Sequence, residues 1–597
     1  MSAIADQPQD HHADADPAPS PGGIDDSLRG ARIHDAGDAH QRVSNQPPEF
    51  PACDLWAGDP ALRAAVAHEG GADFAAHLSD YGRHAGGALL ALSHDAHRDR
   101  PRLRTHDRFG QRIDRVEFHP HYHEIMRGAL AAGVAGLSWA AQAWSLPQPG
   151  AQVARAALSY LHRQGEPGTS CPLTMTHAAV PALAHAPALR AWAEKAATAV
   201  YDPRELPIAD KAGVTLGMGM TEKQGGSDVR ANETTATPLP GGEVYALRGH
   251  KWFFSVPMSD AFLVLAQAPG GLSCFLMPRL REDGRHNAYR VMRLKDKLGD
   301  WSNASSEVEF DGALAWPVGE EGRGVATIIE MVMLTRLDCT LGSAADMRMA
   351  LLQALHHCRH RSAFGRRLID QPLMRNVLAD LALESEAATV LALRVAGAVD
   401  RTPSDASEAA FARIATAIGK FWVCKRAPAF INEAQECLGG AGYVEESLLP
   451  RLYRQAPLNS IWEGSGNIQC LDVLRALARE PGCVDALRAE LDAQRGRIGA
   501  FDAAADAALA HLAEVATAAP EAQQAAARAL VERLALVLQA AALLRLDSPL
   551  ADAFCRSRLA GGRGQVFGTL AAGADVGVDT GAVLARAWAG LDPAVPA

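Results

Sequence analysis

The strongest constraint on the fold is a change of texture in the middle of the chain. Between Thr215 and Phe310, β-branched and aromatic runs broken by Gly, Pro and Asn predominate, among them VYALRGHKWFFSV, AFLVLAQ, LSCFLMP and SSEVEFDG. These predict the strands of a compact β unit. On the N-terminal side, ALAAGVAGLSWAAQAWSL and VARAALSYLHRQ place apolar residues three and four apart, which predicts helices. The helical spacing returns after GEEGRG (319–324) and persists to about residue 476. An α–β–α order without a Gly-x-Gly-x-x-Gly between a strand and a helix excludes a dinucleotide-binding Rossmann domain.

Finer divisions follow from local composition. Residues 1–43 are rich in Asp, His, Pro, Gly and Ala and predict a disordered tail, because they cannot bury enough apolar surface to offset the entropy of ordering. Residues 44–215 read as an α-helical domain, 216–312 as the β domain and 313–476 as a helical bundle. The Ala-rich stretch 477–597 reads as an extra helical domain. In it Leu530, Leu534, Val537, Ala541 and Leu544 recur at the spacing of one packed helix face, a pattern of bundle core rather than of a partner-binding surface.

The 597 residues are enough for several packed units, and 48% apolar with 21% charged residues is a globular balance. No run of 18 strongly apolar residues predicts a membrane span, and the N-terminus lacks the pattern of a secretory signal, so the cytoplasm is the expected location. Ten cysteines without a Cys-x-x-Cys pair predict reduced core thiols. A net charge of −11 argues against coating nucleic acid through the overall field, which leaves local basic patches open.

The most informative segment is MGMTEKQGGSDV, Met218 to Val229. Paired glycines let backbone approach a flat or charged ligand, while Thr221 and Ser227 offer hydroxyl donors. A capped Gly turn is the plainer structural reading. The segment resembles the signature of the acyl-CoA dehydrogenase family, in which it wraps the isoalloxazine ring and pyrophosphate of FAD. Gly219, Met220, Thr221, Glu222, Gly225, Gly226, Ser227 and Asp228 all match. By that resemblance Met218, Met220, Thr221, Gly226 and Ser227 bind the cofactor, and Phe253, Phe254 and Ser255 of HKWFFS line its ring. RSAFG (361–365) resembles the family's Arg-x-x-Phe-Gly, implying that Arg361 and Phe364 reach the FAD of a neighbouring subunit. ECLGGAGY (436–443) resembles its Gly-rich loop, with Gly440 at the cofactor across the interface. The chain departs from the pattern with Glu436 where Gln is common and Gln455 where an acid is usual. The implied fold is mainly α with a middle β-barrel and a four-helix bundle, the extra C-terminal helices being added to it. The implied assembly is a homotetramer.

The implied catalytic residue is Glu463 in IWEGSGNIQCL. Desaturation of an acyl-CoA thioester needs a base for the α-proton while a hydride leaves the β-carbon for the flavin. A carboxylate shielded by apolar groups, its pKa raised, suits that proton. Other branches of the family place the base before a helical Arg; here that position, before Arg336, is Thr335, which cannot serve. Ile461, Trp462, Gly464, Ser465, Gly466 and Asn467 are implied to flank the flavin and its adenosine.

Further strings, including GHKWFFSVP, RLKDKLG and CLDVLR, resemble the AidB-type branch, flavoproteins of the bacterial alkylation response. That branch implies weak activity toward isovaleryl-CoA and a C-terminal domain linked to double-stranded DNA. From Leu471 onward, 12 Arg face 15 acidic residues. Arg475, Arg556, Arg558 and Arg563 are candidates for a DNA face, against the alternative of a salt-bridged bundle surface. The basic run Arg279–Lys297 reads either as a phosphate-binding patch or as a polar loop of the β unit. The histidines of FHPHYHE and LHHCRHR lack a separated second pair of ligands, and no metal is expected.

Overall fold

The computed structural model describes residues 43–560, 564–571 and 578–591. Pro47–Ala597 makes one compact unit; Met1–Gln46 makes another, described only from Val43 on, so nearly all of the expected tail lies outside the described residues.

The β domain is a barrel. Strands β3 (Leu216–Gly219), β4 (Thr235–Pro238), β5 (Tyr245–Ser255), β6 (Ala261–Ala268), β7 (Gly271–Pro278), β8 (Tyr289–Leu294) and β9 (Ser305–Val318) form one sheet. Its ring runs β6-β4-β5-β9-β7 and closes where β7 pairs antiparallel with β6, while β3 and β8 attach to the outside of β6 and β9. Closure leaves no long free edge on the ring. Phe254, Phe262, Phe275, Val291 and Val308 fill the interior.

The helical region before the barrel also holds a two-stranded hairpin, β1 (Arg102–His106) and β2 (Arg112–Glu117), which the sequence reading did not separate from its helices. Helix Ala151–Gly165 is buried on every side, so its charged residues need partners. Arg155 pairs with Asp338, and Arg163 forms two 3.0 Å hydrogen bonds to Asp346, tying this helix to helix Gly324–His360. That 37-residue helix packs with helices Pro372–Arg401 and Ala406–Glu436, and helix Gly466–Arg479 packs in turn on Ala406–Glu436.

The expected extra domain shares this core rather than building its own. One apolar cluster runs from Leu55 through the bundle to Leu530, Leu534, Val537, Ala541 and Leu544 and on to Leu591. Polar ties reinforce it: the Trp422 indole donates to Gln539 at 2.9 Å, and Arg586 donates to Glu386 at 2.8 Å. All ten cysteines are free thiols. Among the described residues no helix is long and apolar enough to cross a membrane.

Candidate active site

The segment after β3 is built around a buried carboxylate. Glu222, 0% exposed, accepts hydrogen bonds from the Glu233 and Thr234 amides and the Gln224 side chain, and pairs with the Lys251 ammonium at 2.6 Å. Burial alone would raise this carboxyl; Lys251 and the other donors hold it down at about 2. Glu222 is therefore a strut that fixes the turn, and the Thr221 carbonyl is held in turn by the Trp252 amide at 2.8 Å. At Gly226 a Cβ would collide with the Thr221 hydroxyl, so only glycine lets the loop pass this close. Ser227 stands exposed at its tip.

Strand alternation sorts the three aromatic-run candidates, helped by an irregular register between Lys251 and Phe254. Phe253 is 53% exposed and Ser255 is half-buried, its hydroxyl 3.2 Å from that of Ser305. Phe254 instead points into the barrel, 0% exposed, 4.2 Å from Phe262 between ring centroids. This corrects the expectation that Phe254 lines the flavin: its ring is committed to the core.

Glu463 lies on the loop between the turn Leu458–Ser460 and helix Gly466–Arg479. Its φ of +58° is a left-handed conformation that costs a non-glycine residue energy and that the surroundings must enforce. They do so through its carbonyl, which accepts from Arg336 Nε and Gln469 Nε2, both at 3.1 Å. Arg336 is itself fixed by Asp472 at 2.8 Å. The half-buried Glu463 carboxylate accepts from the Thr335 hydroxyl at 2.6 Å. Desolvation pushes this carboxyl above the usual carboxylate range, against the Thr335 hydrogen bond and the charges of Lys420 and Arg336.

The two motifs, more than 230 residues apart, meet at one apolar cluster. Met218, Met220 and Trp462 all pack against the apolar cluster that includes Cys171, Met175, Met331 and Leu334. An apolar wall beside the Thr221 and Ser255 hydroxyls is suited to a flat ring with polar edges, so the residues present fit a flavin. Around Glu463, Ile461 is 62% exposed, Gly464 and Ser465 are half-buried, and Gly466 opens the helix. Asn467 is exposed and accepts from Arg528 of the C-terminal helices at 2.9 Å.

The other two motifs are not brought to this cluster. Arg361 follows the last residue of helix Gly324–His360, 26 positions beyond Thr335, or roughly 39 Å at the rise of an α-helix. Phe364 is fully exposed at the tip of a small hairpin. Gly440 has open space where a side chain would be, and Tyr443 beside it is 84% exposed. A 3.8 Å contact from the Cys358 thiol to the Cys437 carbonyl puts both motifs at the same end of the bundle.

Of the arginines proposed for a DNA face, Arg558 is corrected: its side chain is buried and bound to Asp380 and Glu384 of helix Pro372–Arg401. Long-range pairing of this kind leaves no trace in local sequence. Arg556 pairs with Asp552, and Arg475 lies 3.5 Å from Asp472. Arg563 falls outside the described residues. In the basic run, Arg279, Arg281, Arg290, Arg293 and Lys295 each have an acidic partner. Two histidines of FHPHYHE serve locally: His119 caps helix Pro120–Ala131, and His123 bonds to Tyr201 at 2.8 Å. Sequence reasoning missed the contact made by Thr335, which it had only ruled out as a base, and missed Lys420, whose one visible signal is a lysine inside the apolar run IGKFWV.

Barrel, bundle and a carboxylate beside a flavin-compatible wall define an acyl-CoA dehydrogenase-type oxidoreductase with FAD as its cofactor. The chain belongs to the acyl-CoA dehydrogenase family, in its AidB-like branch. Family profiles match in three blocks: the adaptive response protein AidB N-terminal domain over residues 45–203, the acyl-CoA dehydrogenase middle domain over 217–313 and its C-terminal domain over 322–478. The chain is 49% identical to the protein AidB of Escherichia coli K12, over 77% of this chain and 85% of that one. It is 32% identical to acyl-CoA dehydrogenase family member 11 of Caenorhabditis elegans, over 68% and 67%. The crystal structure of C. elegans ACDH-11 in complex with C11-CoA superposes with a TM-score of 0.80, at 25% identity, over 88% of this chain and 94% of that one.

Proposed function

We propose that the chain desaturates a short or branched acyl-CoA thioester, such as isovaleryl-CoA, between its α- and β-carbons, with Glu463 as the base. The observation that carries this reading is the Glu463 carboxylate, raised in pKa, held by one hydroxyl and set beside the Met218–Met220–Trp462 wall. A bound flavin supplies the hydride acceptor. Glu463 takes the α-proton on a carboxylate oxygen, Thr335 orients that oxygen, and the apolar wall keeps water from competing for it. The proton and hydride together leave an α,β-unsaturated thioester. Purified protein should be yellow, and isovaleryl-CoA added without oxygen should bleach its flavin band. Colourless folded protein that takes up no FAD would refute the reading.

A homotetramer belongs to the same proposal. Arg361 lies too far from Thr335 to serve its own site, and Phe364 and Tyr443 stand exposed beside it, as subunit contacts do before assembly. Sedimentation should give four chains, with Phe364→Ser shifting the mass downward. DNA binding is the second reading, supported by the AidB-like branch alone. It predicts salt-dependent retention on duplex DNA that falls in Arg475→Ser/Arg556→Ser; unchanged retention removes those two arginines from any DNA face.

A further inference from the structure

Behind the Glu463 loop lies a cation for which the proton transfer has no direct use. Lys420, 1% exposed, sits in the middle of helix Ala406–Glu436. Its Nζ donates to three carbonyls, those of Asn459, Trp462 and Gly464, each at 2.9 Å. An ammonium has three hydrogens, so its donor capacity is fully spent on loop backbone. Arg336 takes the carbonyl in between, that of Glu463. Three successive carbonyls, 462 to 464, are thus drawn onto two cations. Such a grip suits the positive φ of both Glu463 (+58°) and Gly464 (+93°). A buried ammonium paid in carbonyls alone is a costly device for mere packing, where an apolar side chain of similar length would serve.

We propose that Lys420 is a positioning residue for the reaction: its ammonium gathers the Asn459, Trp462 and Gly464 carbonyls and fixes the left-handed backbone that presents the Glu463 carboxylate. This rests on Glu463 being the base. The groups facing Glu463 are Thr335, Arg336 and the Cys339 thiol from helix Gly324–His360, Lys420 from helix Ala406–Glu436 and the Cys171 thiol from helix Ser170–Leu183. Asp472, from helix Gly466–Arg479, is neutralised by Arg336 and Arg413. Lys420 and Arg336 are the cations of this set, so loss of the Lys420 charge raises the pH at which Glu463 ionises.

The test uses the full-length, FAD-loaded chain and the variants Lys420→Gln and Lys420→Arg. Anaerobic flavin reduction by isovaleryl-CoA is followed against pH and substrate concentration, and perturbation of the flavin band by a non-oxidisable acyl-CoA thioether reports binding alone. Lys420→Gln should bind the thioether within a few-fold of wild type, while its limiting reduction rate falls by about 100-fold, the scale of a small misplacement of a reacting group. Its acidic limb should move up by about one pH unit. Lys420→Arg, which keeps the charge in a planar fork, should restore the limb and only part of the rate. A wild-type rate and limb in Lys420→Gln would overturn the proposal, as would a rate loss with an unmoved limb that Arg does not repair. Should Lys420→Gln fail to fold, Lys420→Arg decides: a wild-type limiting rate there overturns the positioning role. Normal bleaching in Glu463→Gln would instead sink the reading on which the proposal rests.

Discussion

Glu222 and Glu463 both sit beside the proposed flavin site, yet their surroundings give them opposite properties. Glu222 is fully enclosed, meets an ammonium at 2.6 Å and accepts from two amides and a side-chain amide; it stays ionised and inert. Glu463 is half-buried, is touched at its carboxylate by one hydroxyl and is displaced toward the protonated form. Donor supply, rather than burial, separates a carboxylate that holds a loop from one that can exchange a proton. The two motifs hold one carboxylate of each kind, and sequence alone does not tell them apart.

That contrast can be broken at several points. Lys251→Met should have the largest effect, because it strands the Glu222 carboxylate in the barrel wall; a loss of about 3–5 kcal/mol in denaturant unfolding is expected. Unaltered stability would mean that Glu222 is not pinned by charge. The wild-type pH profile sharpens the same point. A carboxyl held at about 2, against an ordinary 4.5, contributes stability in full above about pH 4.5 and loses it as the pH falls toward 2. Roughly 3 kcal/mol of acid-sensitive stability is expected, and Glu222→Gln should flatten that part of the curve. Thr335→Val should act more gently, at about 1 kcal/mol of stability. Because its hydroxyl lowers the Glu463 pKa, its removal should move the acidic limb of flavin reduction upward, and Thr335→Ser should return it.

Much of this was legible beforehand. The change of texture at Thr215 located the barrel because strand-forming residues are concentrated there, and the stripe from Leu530 to Leu544 did become core. The hairpin Arg102–Glu117 escaped notice because its strands are short and mostly polar, with no apolar face to announce them. Phe254 was misassigned because which of two adjacent phenylalanines faces inward depends on a local irregularity of register. Arg558 looked like surface because the acids that bury it, Asp380 and Glu384, lie more than 170 residues away. The Glu463 loop is marked by its motif, but the residues that shape it, Thr335, Arg336 and Lys420, come from two other helices, and nothing in their local sequence says that they meet it.

The most direct test is the anaerobic absorption spectrum of Glu463→Gln titrated with isovaleryl-CoA. The substitution keeps the shape and the Thr335 contact but removes the proton acceptor. The variant should hold FAD, be reduced by dithionite, and remain yellow under an excess of substrate that bleaches the wild type. Bleaching of the variant at the wild-type rate would contradict the assignment of Glu463 as the base.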